Sequence, residues 1–146
     1  MRGALMYLAI DFDGTIVEHR FPEIGPPCPG AFDWLKRYQE HGARLILWTM
    51  RSDGRKGDGP ENGPVLTQAV EFCRAHGVDF YGVNRNPDQH WSGSPKAYAH
   101  VYVDDAAFDC PMVESMEAGK PPHVDWSRVG PELMLKLKKW NARRGR

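Results

Sequence analysis

The chain has few cysteines and no excess of either charge, and these shortages exclude several classes of protein. Its three cysteines (Cys28, Cys73 and Cys110) are far apart and form no CxxC pair, which argues against a disulfide framework and a cysteine zinc site. Its 19 Lys and Arg residues balance 19 Asp and Glu residues. No overall field therefore attracts nucleic acid or an anionic membrane.

Long hydrophobic runs are also missing. The apolar part of the first residues, MRGALMYLAID, is too short for a secretory signal and ends at Asp11. No apolar run approaches the length of a membrane span. We therefore expect one domain over residues 1–146, located in the cytoplasm and without a membrane partner.

Apolar runs alternate with helical patterns along the chain, which predicts an α/β fold. Alternation of strands and helices is typical of a three-layer, doubly wound parallel sheet with helices on both faces. Loops are expected at 18–29, 51–63 and 84–95, and the second is expected to be mobile. The predicted strands cover residues 5–10, 43–49, 78–83 and 100–105. The predicted helices cover 30–41 and 64–77, and a third begins at Pro131. Lys96 is expected at a helix start, because it follows Ser94 and Pro95.

The most informative segment is residues 5–17, where an apolar run ends in Asp11 and Asp13. Burying a carboxylate is costly unless a cation or hydrogen-bond donors compensate for the lost water. Right-handed crossovers place the carboxyl ends of parallel strands along one edge of the sheet. Asp11, Thr49 and Asp105 are therefore expected in one crevice. Taken alone, a strand followed by an Asp-Gly turn explains the first motif equally well.

Four motifs, taken together and in order, resemble those of the haloacid dehalogenase (HAD) superfamily. They are DFDGT after the first strand, Thr49 at the end of the second, Lys96 ahead of the last, and VDD closing it. The resemblance covers about residues 5–109, nearly three quarters of the chain. Most members of this superfamily are magnesium-dependent phosphatases. The resemblance implies a HAD-type Rossmann-like core and a phosphomonoesterase activity.

The resemblance implies a catalytic role for each motif. Asp11 would attack phosphorus and form an aspartyl-phosphate. Asp13 would protonate the leaving oxygen and then, as its conjugate base, activate the water that hydrolyses the intermediate. Thr49 would donate a hydrogen bond to a phosphate oxygen, and Lys96 would contact both the nucleophile and the phosphate.

The resemblance also implies a Mg²⁺ site. A phosphate dianion cannot approach clustered acids unaided, since two like unit charges about 4 Å apart repel by about 4 kcal/mol at an effective dielectric near 20. Mg²⁺ prefers oxygen ligands. The implied ligands are Asp11, the backbone carbonyl of Asp13, and Asp105, with Asp104 in a supporting position. Asp109 is expected in an outer shell, because Asp105 and Asp109 reproduce the family's DxxxD spacing.

Contacts to the substrate are expected from Gly14, whose backbone would turn close to the phosphate. Further contacts are expected from Arg51, Arg85 and His90, in loops near the same edge. The chain leaves no room for the cap domain of larger HAD enzymes, so the site would be open. Water would then be excluded by a macromolecular phosphorylated substrate, by a neighbouring subunit of a homo-oligomer, or by closure of the 51–63 loop. A small phosphorylated molecule stays open as the substrate.

Three other functions remain as alternatives. A receiver-like phospho-accepting domain uses similar residue types, but its paired acids come first and its accepting aspartate comes later, so the order here favours the hydrolase. A former enzyme that now serves as an interaction module would be expected to show a damaged motif. A nucleic-acid end phosphatase is suggested only by the open site and the basic segment 136–146. The solvated face of a helix explains that segment more simply.

Overall fold

The computed structural model describes residues 5–54 and 63–145. The elements are β1 (Tyr7–Ile10), α1 (Ala31–Glu40), β2 (Arg44–Leu47), α2 (Val65–Ala75), β3 (Gly82–Val83), β4 (Val101–Val103), β5 (Met112–Val113), β6 (His123–Val124) and α3 (Trp126–Arg143). Strands β1–β4 form a parallel sheet in the order β3-β2-β1-β4, and β5 and β6 form an antiparallel pair. This confirms the predicted α/β class with a parallel sheet.

One face of the sheet packs against the helices. Leu8 and Ile10 of β1 are buried beside Leu45 and Leu47 of β2. Successive side chains of a strand point to opposite faces, so these four share one side of the sheet. The same core includes buried side chains of the three helices: Ala31, Phe32, Leu35 and Tyr38 of α1, Ala69 and Cys73 of α2, and Val129, Leu133, Met134 and Leu137 of α3.

The three helices form one layer, centred on α1. Phe32 stacks on His76, just after α2, with ring centroids 4.5 Å apart. Trp34 packs so closely on Gly130 of α3 that a Cβ added there would lie 2.3 Å from the indole. Tyr38 Oη donates to the Gly130 carbonyl at 3.0 Å. The crossovers β1-α1-β2 and β2-α2-β3 run the same way across the sheet, and right-handed connections then put both helices on one face.

The opposite face is covered by coil. The crossover from β3 to β4 spans residues 84–100, all of them described, and contains neither helix nor strand. Tyr102 of β4 donates its hydroxyl to the carbonyl of buried Ala97 at 2.7 Å. The described residues therefore place no helical layer on this face, and the predicted helix start at Lys96 is wrong. Residues 84–95 of the crossover, NRNPDQHWSGSP, are rich in turn-forming types and lack the apolar spacing of a helix.

Helix α3 begins earlier than predicted. The sequence favoured a start at Pro131, but α3 starts at Trp126 and contains Pro131. Asp125 caps it by accepting a hydrogen bond from the Ser127 N–H at 3.1 Å. An N-cap of this kind satisfies a backbone donor that a helix end otherwise leaves unpaired, which explains the earlier start.

Two further differences concern strands. β3 covers only Gly82–Val83 rather than residues 78–83, and β5 and β6 were not predicted. β3 lies at the edge of the sheet and pairs only with β2. Strands this short leave too few residues for a period-two pattern to be recognised. Among the described residues, no helix is long and apolar enough to cross a membrane.

Candidate active site

Side chains from the carboxyl ends of three strands line one cavity of about 370 Å³, here called the site cavity. Asp11 follows β1, Thr49 follows β2, and Asp104 and Asp105 follow β4. Because β1 lies between β2 and β4, these ends are neighbours. Asp13 also lines the cavity. The structure thus brings together the side chains that the sequence places in one crevice.

Asp11, Asp104 and Asp105 form a carboxylate cluster in this cavity. Each offers an oxygen, and these atoms lie within 4.8 Å of one another. Burial, and next the negative charge of Asp104, raise the pKa of Asp11 to about 8. Burial also raises the pKa of Asp105. Three ionised carboxylates this close are stable only with a compensating positive charge.

The cluster fits a hard cation such as Mg²⁺. All of its donors are carboxylate oxygens, which this ion prefers. The raised pKa of Asp11 marks a place where negative charge is poorly compensated by the protein itself. Asp11, Asp104 and Asp105 are the side chains that would hold the ion. Both aspartates after β4 belong to the cluster, so the structure does not distinguish the direct ligand from the supporting one. Asp105 as the direct ligand stays a prediction.

Thr15 connects two members of the carboxylate cluster. Its hydroxyl donates to Asp11 Oδ2 at 2.8 Å and accepts from the Asp105 N–H at 3.1 Å. The Thr15 side chain is fully buried. Its hydrogen bond lowers the pKa of Asp11, against the larger effect of burial. The sequence indicates this threonine only as part of the DFDGT motif. Its position directly after DxDG was the available signal.

Gly14 makes room for a carboxylate of the cluster. Its φ is +78°, and a Cβ built on it would lie 2.2 Å from Asp105 Oδ2. Both the backbone conformation and the contact exclude a side chain at this position. The structure thus gives Gly14 one role, which is to let Asp105 approach Asp11, and its contact with phosphate stays a prediction.

Arg51 forms a bidentate ion pair with Asp13. Nε donates to Oδ2 and Nη2 to Oδ1, both at 2.8 Å. The Arg51 side chain is 1% exposed and that of Asp13 is 13% exposed. The other guanidinium hydrogens go to backbone carbonyls of Pro22, Glu23 and Val65 at 3.0–3.3 Å. All five donors of the guanidinium are thus used. The predicted contact from Arg51 to a substrate phosphate is not supported, because Arg51 holds Asp13 instead.

Thr49 keeps a donor for a ligand. Its N–H donates to Asn84 Oδ1 at 2.8 Å, which links the ends of β2 and β3. Its Oγ1 accepts from the Arg51 N–H at 3.1 Å. A hydroxyl that accepts in this way can still donate its own hydrogen. This geometry agrees with the predicted hydrogen bond from Thr49 to a phosphate oxygen.

Three loop side chains that are not among the predicted site residues form the rim of the site cavity: His19, Phe21 and Met50. Met50 is 97% exposed and Phe21 is 41% exposed. While burial raises the pKa of Asp105, the nearby His19 opposes that shift. Only their positions, just after DxDGT and just after Thr49, could have indicated them.

A comparison with solved structures identifies a relative. A conserved protein from Bacteroides thetaiotaomicron is 36% identical to this chain, with a TM-score of 0.66. The match covers 91% of this chain and 93% of the other. This chain belongs to the same family as that protein. No family model matches the chain, and no curated protein matches it.

Lys96 is not one of the described residues that line the site cavity. Its ammonium lies 5.2 Å from the centroid of the Tyr102 ring, and the residue is exposed. Pro95, next to it, lines an adjoining cavity together with Asp11 and Thr49. Coil takes the place of the helix expected at Lys96, and in this coil the Lys96 side chain lies beside Tyr102 of β4.

The remaining predicted site residues lie elsewhere. Asp109 lines a groove of about 390 Å³ beside β4 and α3. Residues 105–109 form turns, not a helix, so the DxxxD spacing does not return Asp109 to the cluster. Arg85 lines a separate surface pocket and His90 is exposed. Of the 51–63 loop expected to close over the site, residues 55–62 lie outside the described residues.

Proposed function

We propose that the protein is a magnesium-dependent phosphomonoesterase of HAD type that forms an aspartyl-phosphate on Asp11. The observation that carries this proposal is the carboxylate cluster at the strand ends. Asp13 and Thr49 share its cavity, as the chemistry requires. The proposal includes a HAD-type core without a cap domain, for which the parallel sheet and the position of the motifs at its carboxyl edge are the support.

In the first step, a carboxylate oxygen of Asp11 bonds to phosphorus as the bond to the leaving oxygen breaks. Asp13 gives its proton to that oxygen. Thr15 holds Asp11 Oδ2 at 2.8 Å and so limits rotation of the nucleophile. Thr49 donates its hydroxyl hydrogen to a phosphate oxygen. Mg²⁺ bound by the cluster would keep Asp11 ionised and offset the charge of the phosphate.

In the second step, water bonds to phosphorus and the bond to Asp11 breaks. Asp13, now a carboxylate, takes a proton from this water and returns to its starting state. Both steps need Asp13 within hydrogen-bond distance of the reacting oxygen, and its side chain does line the cavity.

Lys96 is proposed as the second positive charge. It follows Pro95, which lines the cavity that adjoins Asp11. An exposed lysine has a long and freely rotating side chain, and rotation away from Tyr102 would direct the ammonium to the phosphate.

The position of the basic side chains gives no support to a nucleic-acid end phosphatase. The N–H of Val124, just before α3, bonds to the Gly14 carbonyl, so α3 begins near the site. The helix has 18 residues. At about 1.5 Å per residue, its basic residues from Lys136 to Arg143 lie about 15–25 Å along the helix from its start. The proposed substrate is therefore a small or macromolecular phosphate ester, and a nucleic acid is not favoured. A homo-oligomer covering the open site remains part of the proposal.

The test is phosphate release from p-nitrophenyl phosphate and a panel of metabolite phosphates, with and without Mg²⁺. We expect metal-dependent turnover by the wild type that Asp11→Asn abolishes. Asp33→Asn is the matched control, since Asp33 is an exposed acid on α1. Equal rates for the wild type and Asp11→Asn would show that Asp11 is not the nucleophile.

A further inference from the structure

Arg51 lines the site cavity, and every donor of its guanidinium is in use. Two donors bind Asp13, and three bind backbone carbonyls in the loop after β1 and at the first residue of α2. A buried guanidinium is costly unless its hydrogen bonds are satisfied. The three carbonyls anchor the group without help from Asp13. Arg51 is therefore the fixed partner of the pair, and Asp13 is the side chain that it holds.

Two aromatic rings enclose the guanidinium. Its central carbon lies 5.0 Å from the Phe12 ring centroid and 5.1 Å from that of Phe21. Phe12 is fully buried, whereas Phe21 is partly exposed and lines the site cavity. Such cation–π contacts stabilise the cation and keep water from the ion pair. Both contacts hold the guanidinium in place beneath Asp13.

We propose that Arg51 is a positioning residue for phosphoryl transfer: by binding both oxygens of Asp13 it directs that carboxyl group to the leaving oxygen. The inference rests on the proposed phosphatase function. Each carboxyl oxygen has two lone-pair sites, and the guanidinium occupies one on each. The other sites stay available for the proton. The O–H bond on Asp13 breaks as the leaving oxygen takes this proton, and it forms again from water in the second step.

The planar fork of arginine is needed for this role. A lysine supplies the same charge but cannot bind both oxygens and three carbonyls at fixed angles. A proton donor displaced by even a small distance loses much of its effect. Arg51→Lys is therefore expected to slow the proton-dependent step while leaving the carboxylate cluster in place, since Asp11, Asp104 and Asp105 do not contact Arg51 in the hydrogen bonds described.

The experiment compares two substrates whose leaving groups differ in their need for a proton. p-Nitrophenolate leaves as a stable anion, whereas glycerol leaves glycerol 2-phosphate only when its oxygen is protonated. The rate of the first step is measured in single turnover as release of the leaving group, because both substrates share the second step, which also uses Asp13. We expect Asp13→Asn and Arg51→Lys each to slow this release for glycerol 2-phosphate by at least about a hundredfold. For p-nitrophenyl phosphate the loss in the first step should stay below about tenfold. The double variant should be no slower than Asp13→Asn alone, because the two residues act as one unit.

Arg44→Lys is the matched control, because Arg44 also pairs with an aspartate, Asp88, at the other end of the strands. It should leave both rates unchanged. Circular dichroism and Mg²⁺ titration by calorimetry check that each variant is folded with an intact cluster. If Arg51→Lys does not fold, Arg51→Gln replaces it, and failure of both would make Arg51 a purely structural residue and overturn the proposal.

The outcomes separate the two proposals. Equal losses on both substrates, or a double variant slower by the product of the single losses, would overturn the role of Arg51 while the phosphatase activity stands. A wild type without Mg²⁺-dependent turnover, or one matched by Asp11→Asn, would overturn the proposed function and the role of Arg51 with it.

Discussion

Asp105 and Thr15 lie 90 residues apart in the sequence and meet in a hydrogen bond of 3.1 Å from the Asp105 N–H to Thr15 Oγ1. The same hydroxyl donates its hydrogen to Asp11 Oδ2 at 2.8 Å. One buried side chain therefore holds the backbone of one cluster residue and the carboxylate of another. It fixes the end of β1 relative to the end of β4.

Replacing Thr15 by Val keeps the shape of the side chain and removes the hydroxyl. The free energy of unfolding should fall by about 1–3 kcal/mol, because the Asp105 N–H loses its acceptor. Urea denaturation measures this loss. Thr67→Val is the control, since Thr67 is an exposed threonine bonded to Asp53. Equal losses in both variants would contradict a special role for Thr15.

The pKa of Asp11 predicts an unusual dependence of stability on pH in the metal-free protein. Burial and the charge of Asp104 raise this pKa from an ordinary 3.8 to about 8. The folded protein then retains a proton that the unfolded chain has lost, so stability is greatest near pH 4 and falls as the pH rises toward 8.

Denaturation in EDTA at a series of pH values tests this, with Asp11→Asn as the comparison. Asparagine cannot ionise, so the difference in unfolding free energy between variant and wild type should grow from pH 4 to pH 8. If the unfolding free energies of the two proteins change with pH in parallel, ionisation of Asp11 does not destabilise the folded state.

Mg²⁺ affinity should distinguish the two aspartates after β4. We expect Asp105→Asn to weaken Mg²⁺ binding more than Asp104→Asn, as a direct ligand should. Binding should also tighten from pH 6 to pH 8 in the wild type, because the ion competes with the proton on Asp11. Calorimetric titration measures both effects. A larger loss in Asp104→Asn would reverse the assignment of the direct ligand.

Gly14→Ala should disrupt the carboxylate cluster. Its added Cβ would lie 2.2 Å from Asp105 Oδ2. Gly119→Ala is the matched control, since Gly119 has a φ of +81° and nothing within 4 Å of an added Cβ. Both variants should lose about 1–2 kcal/mol through the left-handed backbone. Only Gly14→Ala should also lose Mg²⁺ affinity, and equal affinity in the two variants would contradict this explanation.

Much of the helical framework could be predicted from the sequence because its signals are local. Helix α1 covers Ala31–Glu40 against a predicted 30–41, and it ends just before Gly42, whose φ of +86° is left-handed. Helix α2 covers Val65–Ala75 within the predicted 64–77. The acids at the strand ends were predictable for a similar reason, since parallel strands share one carboxyl edge.

The rest depends on contacts between distant residues. Arg51 and Asp13 are 38 residues apart, and nothing near either one indicates that they pair. An arginine beside a phosphate motif suggests a phosphate ligand, and only the fold shows that its donors are already used. The same holds for Lys96, since the pattern ahead of β4 does not reveal whether the crossover is a helix or a coil.

The coil that spans residues 84–100 also has a consequence for how this family can change. A crossover without a helix can accept insertions and substitutions without loss of helix–sheet packing. A change in α1, in contrast, disturbs contacts with both neighbouring helices. Relatives of this chain should therefore diverge more over 84–100 than along α1. The cavity wall beside Asp11, which includes Asn84 and Pro95, can then change in sequence while the scaffold that holds Asp11 stays the same.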